Sequence, residues 1–348
     1  MNTTPSPSKS ASKLAGKDPI LVVEDLHVTF KTKGSREVRA VDGVSFDIRR
    51  GETLGVVGES GSGKSVTSLA ILGLLPSRGV QVSGSIRLDG RDLLQASNRE
   101  LQRIRGRQVA MVFQDPMTSL NPVLTVGRQL TEVIVRHTSA SRSEARDKAV
   151  RLLDRVGIPD ARSRLRNYPH QLSGGMRQRV MIAIALACEP QVLIADEPTT
   201  ALDVTIQAQV LELLKELVSA SDTALILITH DLGVVAGMCD QVNVMYGGRI
   251  VETGERHHLF ANPRHHYTRG LLASVPRLEG DEVQRLVPIQ GSPRDVIAWS
   301  QGCAFAPRCV ALTDACLGAA PELVDSGDGC RARCVNMAEK NSSIWAAT

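Results

Sequence analysis

Gly58, Glu59, Ser60, Gly61, Ser62, Gly63, Lys64 and Ser65 follow the order G-x-x-x-x-G-K-[ST]. Glycines in that order let backbone N–H groups converge on phosphate oxygens, and a helix opening at the lysine adds the positive end of its dipole. Lys64 is then the cation for the β- and γ-phosphates of a nucleotide, and the Ser65 hydroxyl is a ligand for Mg2+. A second group, Asp196-Glu197, ends the apolar run 192–195. There Asp196 can hold the Mg2+ shell while Glu197 orients and polarises an attacking water. Alone, such a pair is better read as a helix cap. Beside a phosphate loop it reads as the hydrolytic half of a site. A third group, Leu172-Ser173-Gly174-Gly175-Met176, opens a helical run to Cys188 and offers a hydroxyl and bare backbone N–H groups to a second anion.

Strands and helices must bring these groups together. Residues 53–57 form an apolar strand that runs straight into the glycine loop, and 64–75 have helical spacing up to Pro76. Runs 20–30, 44–48, 85–88 and 109–113 read as further strands. Runs 192–195 and 224–229 are wholly apolar, as expected of strands buried on both faces of a parallel sheet. Residues 116–190 turn helical and charged, with 142–156 amphipathic up to a cap at Gly157, and 204–218 is another helix. Residues 242–246, Gly247-Gly248 and 249–252 spell a hairpin. After Gly254 the pattern is loop-rich.

Hydrophobic residues are 42% of the 348 but aromatics only 3%, so Leu, Ile, Val and Ala must build the core. The net charge of +4, from 41 basic and 37 acidic residues, is too even to point to nucleic acid. No apolar stretch approaches the roughly 18–20 residues that span a bilayer. Residues 1–17 are rich in Ser, Thr, Pro and Lys without an apolar centre, and read as a disordered tail rather than a secretory signal. A cytoplasmic location is expected, with any membrane association made through partners. Of seven cysteines, Cys188 and Cys239 are isolated, while Cys303, Cys309, Cys316, Cys330 and Cys334 crowd the C-terminal end. In a reducing compartment that crowding means metal more often than disulfide. Thiolates suit iron–sulfur and zinc alike, the spacing C-x5-C-x6-C is not that of a zinc finger, and free structural thiols are a third reading. His257, His258, His265 and His266 offer donors for a second metal site, but read better as scattered surface histidines.

The order of residues 58–65, Gln114, 172–176, Asp196-Glu197, Ala201-Leu202-Asp203 and His230 resembles the nucleotide-binding domain of ABC transporters over residues 20–255. That resemblance implies an α/β fold: a P-loop NTPase (RecA-like) ABC ATPase core with an antiparallel β subdomain and a helical subdomain inserted at about 116–190. The chain then divides into a tail at 1–17, the nucleotide-binding domain at 18–255 and an extension at 256–348. It also implies that Val66, just after the loop, joins residues 58–65 in binding the nucleotide, and that in a head-to-tail dimer Ser173, Gly174 and Gly175 touch ATP held by the partner's phosphate loop. Gln114 would sense Mg2+ and the attacking water and couple to the membrane subunits, His230 would contact the γ-phosphate, and Asp203 would link the two sites. Phe30 resembles the aromatic that stacks on adenine, although a half-buried strand position also suits a core role.

Residues 113–122, Tyr168-Pro169-His170-Gln171 and 267–272 are similar to the dipeptide/oligopeptide permease branch, with His265-His266 where that branch often has His-Pro. Residues 302–309 with Cys316, Pro321 and Cys334 resemble its C-terminal extension, in which members can carry a [4Fe-4S] cluster. By that resemblance the ligands are Cys303, Cys309, Cys316 and Cys334, with Cys330 still open as the fourth. The branch implies ATP, Mg2+ and the cluster as cofactors. It implies a second, non-identical ATPase, two transmembrane permease subunits and an extracytoplasmic substrate-binding protein as partners, no nucleic acid, and a peripheral place at the cytoplasmic face of the plasma membrane. The expected function is the ATP-hydrolysing motor of an importer for dipeptides or oligopeptides. A metal chelate or other small solute is the alternative cargo. A soluble DNA- or ribosome-associated ATPase is the alternative class, and the coiled-coil or zinc insertions such proteins usually carry are not visible.

Overall fold

A computed structural model describes residues 18–31, 37–200, 202–274, 288–293, 296, 301–327 and 329–339; the expected tail at 1–17 lies outside the described residues. Thirteen-residue strands β1 (Pro19–Lys31) and β2 (Glu37–Arg49) pair antiparallel, and β4 (Val80–Leu88) and β5 (Arg91–Asp92) complete a four-stranded sheet ordered β2-β1-β4-β5. β2 begins well before the apolar run 44–48, because its exposed first residues are held by the ladder to β1, from Glu37 opposite Lys31 to Arg39 opposite Thr29.

The second sheet is built on five parallel strands, ordered β9 (Gln241–Tyr246), β3 (Thr53–Val57), β8 (Ala224–Thr229), β7 (Val192–Asp196) and β6 (Val109–Val112). The apolar runs follow from where these strands lie. In β7, Val192 and Ile194 enter the apolar cluster beneath the antiparallel sheet, while Leu193 and Ala195 enter the one beneath the helices. β8 divides in the same way, with Ile226 and Ile228 on one face and Leu225 and Leu227 on the other. Each such side chain contributes about 1.5–3 kcal/mol on burial, so a strand covered on both faces has no position to spare for a polar residue.

Between β6 and β7 the chain is helical. Helix Arg142–Arg155 opens on a capping box made by Ser141 and Glu144 and stops ahead of Gly157 at φ +72°. Its Ala145, Ala149 and Leu153 are fully covered, as are Leu130 and Ile134 of helix Val126–His137. Helix Gly174–Leu186 packs Val180, Ile182 and Ala183 into the same cluster.

The segment after Gly254 is less loop-like than its sequence. Strand β10 (Arg249–Glu255) forms the expected hairpin with β9, and β12 (Cys330–Ala332) then pairs with β10 and with β11 (Val324–Gly327). These short strands carry no alternating apolar pattern, which is why only the backbone ladder reveals them. His265 and His266 correct the surface reading: they are 1% and 2% exposed. His265 packs 5.9 Å from the Phe305 ring, and burial drives its imidazole down to about 3, so the ring is neutral.

Candidate nucleotide site

The register of the parallel sheet assembles the site. Val57 lies opposite Thr229, Asp196 opposite Ile228, and Val112 opposite Ala195. The residues that follow, Gly58, His230, Glu197 and Gln114, therefore leave the sheet along one carboxyl edge, where open α/β sheets bind ligands.

The loop that leaves β3 is wound around its own lysine. Lys64 Nζ donates to Gly58 O at 2.7 Å, to Glu59 O at 3.0 Å and to Ser62 Oγ at 3.4 Å. Gly63 sits at φ +103° as the cap of helix Lys64–Ile71, and a Cβ there would stand 2.5 Å from Ala40 O. Only glycine tolerates both conditions. Lys64 is 5% exposed, and burial lowers the ammonium from its usual range, opposed by Glu197, Asp196 and Glu59. An anion beside it would offset that burial and favour the charged form, so this buried cation favours phosphate.

Ser65 Oγ donates to Asp196 Oδ1 at 3.2 Å. Burial raises the Asp196 carboxyl above its usual range, offset by the Ser65 hydrogen bond and the Lys64 charge. A divalent cation would reverse that shift, and a hydroxyl beside a carboxylate is the hard-oxygen pair that Mg2+ takes.

Glu197 sits at φ +45°, where a non-glycine residue needs support from its surroundings. Gln114 Nε2 and Thr200 Oγ1 each donate to Glu197 Oε2 at 2.9 Å, and His230 Nδ1 lies 3.5 Å from Oε1. Three of the sequence-derived candidates thus meet at one carboxylate. Thr200 was missed, and its only signal was a hydroxyl three positions beyond the acid.

Other candidates lie apart from this group. Ser173 caps helix Gly174–Leu186 by accepting from Met176 N, and the nearest neighbour of a Cβ at Gly175 would be Ile206 of helix Val204–Ser221. Asp203 caps the latter helix through Ile206 N. Phe30, opposite Val38 and Val80 on β1, packs partly buried against the cluster beneath the antiparallel sheet, as does Val66.

Residues 41–200 match the family described as ABC transporter, and residues 251–316 match the oligopeptide/dipeptide transporter C-terminal region. The chain is 55% identical to the dipeptide transport ATP-binding protein DppD of Bacillus subtilis, over 84% of its own length and 87% of that protein's. With the oligopeptide transport ATP-binding protein OppD of Salmonella typhimurium it shares 52% identity, over 87% and 89% of the two lengths. The chain belongs to the ABC-transporter ATP-binding proteins of the dipeptide/oligopeptide permease family. It is accordingly an ATP-hydrolysing ABC cassette. Among solved structures, the ATP-binding cassette MJ0796 in a dimeric post-hydrolysis state with ADP and Pi superposes at a TM-score of 0.61, 27% identical over 68% of this chain and 98% of that one. The cassette cbiO1 from Clostridium perfringens gives 0.59 at 32% identity, over 70% and 92%. Among the described residues no helix is long and apolar enough to cross a membrane.

Cys303, Cys309 and Cys316 of the matched C-terminal region and Cys334 beyond it line one cavity, whereas Cys330 lies on β12 against Gly254. Yet among the described residues no group of three or more His, Cys, Asp or Glu side chains is placed to hold a metal ion. As placed, these side chains do not by themselves form an iron–sulfur site. Burial pushes the thiols of Cys309 and Cys334 up to about 11 and about 12, so without a nearby cation they are neutral groups packed like small apolar ones.

Proposed function

We propose that the chain is the motor of an importer for dipeptides or oligopeptides. What carries the reading is the meeting of Lys64, Ser65, Asp196 and Glu197 at one sheet edge, in a chain whose relatives over most of its length are described as peptide-transport ATP-binding proteins. In this reading the loop 58–65 grips the β- and γ-phosphates, Ser65, Asp196 and Gln114 surround Mg2+, Glu197 polarises the water, and His230 steadies the γ-phosphate. Ser173, Gly174 and Gly175 serve the ATP of a second, non-identical ATPase, Asp203 joins the two sites, and Phe30 faces the adenine. Ser173 and Gly175 contact Met176 N and Ile206 rather than the phosphate loop, which leaves them free to serve a partner's nucleotide. The pair works beneath two permease subunits at the cytoplasmic face of the membrane, supplied by an extracytoplasmic binding protein. Residues 18–255 make the cassette and 256–348 the extension.

Vesicles holding the complete transporter and its binding protein should take up labelled di- to pentapeptides when loaded with ATP, and lose uptake with ADP. Uptake of a metal chelate with no peptide uptake would replace the cargo.

We also propose a [4Fe-4S] cluster held by Cys303, Cys309, Cys316 and Cys334, supported by four soft donors around one cavity and by the position of Cys330 outside it. Such a cluster would cross-link the extension rather than take part in hydrolysis. Protein purified without oxygen should be brown, with about four iron and four sulfide per chain, and Cys309→Ser should bleach it while Cys330→Ser does not. Colourless protein carrying one zinc ion per chain would end this proposal.

A further inference from the structure

Glu59, the second residue of the phosphate loop, is held on three sides by groups far away in the chain or across the loop. Its N–H donates to Tyr267 Oη at 2.8 Å, and its carbonyl accepts from Lys64 Nζ at 3.0 Å. Its carboxylate takes both prongs of a guanidinium, with Arg308 Nη1 to Oε2 at 2.6 Å and Nη2 to Oε1 at 3.0 Å. Arg308 ends the short 3-10 turn Ala306–Arg308, between Cys303 and Cys309. Its side chain is 1% exposed. Arg308 Nε donates to Gln290 O at 2.9 Å, and the guanidinium lies 5.8 Å from the Tyr246 ring centre and 5.9 Å from that of Phe305. Tyr246, Tyr267 and Phe305, all nearly fully buried, pack with ring centres 4.7–5.3 Å apart. In a chain with 3% aromatics, two stand beside this one arginine and a third packs on both of them.

A fork-to-fork contact of this kind fixes direction as well as distance. Glu59 precedes the amides that point at phosphate, so fixing it keeps the loop in its gripping form before the nucleotide arrives. Ordering supplied in advance is not charged against binding. We propose that Arg308 is a positioning residue for ATP binding, and that through its pairing with Glu59 the cysteine-bearing segment holds the phosphate loop ready for the nucleotide. The inference rests on the reading that residues 58–65 bind the terminal phosphates of ATP.

The test is a double-mutant cycle on the full chain, with MgATP titrated by displacement of a fluorescent ATP analogue. Arg308→Met keeps the apolar stem and removes the fork. Glu59→Gln keeps the shape and removes the charge. Each should weaken MgATP binding about tenfold, because each breaks the two-pronged charge pairing that fixes Glu59, itself only partly buried, against the buried Arg308. The double variant should be no weaker than the poorer single one. In the assembled transporter Arg308→Met should raise the KM for ATP by more than it lowers kcat. Folded Arg308→Met protein with parental affinity, or losses that simply multiply in the double variant, would overturn the proposal. Should Arg308→Met fail to fold, parental affinity in Glu59→Gln overturns it equally. Lys64→Ala separates the two ideas: if it binds MgATP normally, the loop reading falls and takes this inference with it. If it binds weakly while the Arg308 and Glu59 variants bind normally, only the inference falls.

Discussion

Glu197→Gln leaves MgATP binding in place and lowers steady-state hydrolysis by roughly 10²–10⁴-fold. The amide has the shape of the carboxylate, so its oxygen can still accept from Gln114 and Thr200, which now share Oε2 at 2.9 Å. The backbone at φ +45° is also undisturbed, being held by the bond from Glu197 N to Ile228 O at 2.8 Å. What disappears is the basic oxygen that polarises water. Binding and chemistry should therefore separate cleanly, with unchanged analogue displacement and a collapsed rate of phosphate release. A parental rate in the assembled transporter would remove Glu197 from the chemistry.

Lys64→Ala acts on binding itself. A charged hydrogen bond contributes about 1.5–3 kcal/mol, and loss of contacts to two phosphates amounts to about 3 kcal/mol or more, at least a hundredfold in Kd. The native geometry adds a second cause. Lys64 Nζ draws Gly58 O, Glu59 O and Ser62 Oγ inward, so alanine also releases the loop's internal tether. Arginine is no substitute, because a planar fork cannot take three acceptors converging on one point. Isothermal titration with MgATP is the direct measurement. A Kd within threefold of the parent would show that these amides grip something else.

How much of this was legible depended on whether the cause was local. β3, β7 and β8 could be read because strands covered on both faces admit only apolar residues, and Asp196-Glu197 could be read because the acids interrupt such a run at its end. The phosphate loop was legible because a lysine, a hydroxyl and glycines at fixed spacing serve one chemistry. Nothing local announced Arg308, which meets Glu59 across 249 positions, or Tyr267, which meets it across 208. His265 and His266 looked like surface residues because their covers, Phe305 and the Asn336 carbonyl, arrive from the far end of the chain. β11 and β12 escaped for a different reason. Val-Asp-Ser-Gly and Cys-Arg-Ala have no periodicity, and their strand character comes from the neighbour they lie against.

That neighbour is the free flank of β10. Ala332 and Arg331 occupy the positions opposite Glu252 and Thr253, and beyond them β11 turns the charged Asp325 to solvent and shifts register before the half-buried Gly327. A cassette cut off after Glu255 would bare a row of unsatisfied amides and carbonyls next to the apolar Ile250 and Val251, an invitation for another chain to zip on. The far end of the protein thus works as a stopper on its own sheet, and a shortened cassette made for convenience would be prone to self-association for reasons unrelated to ATP.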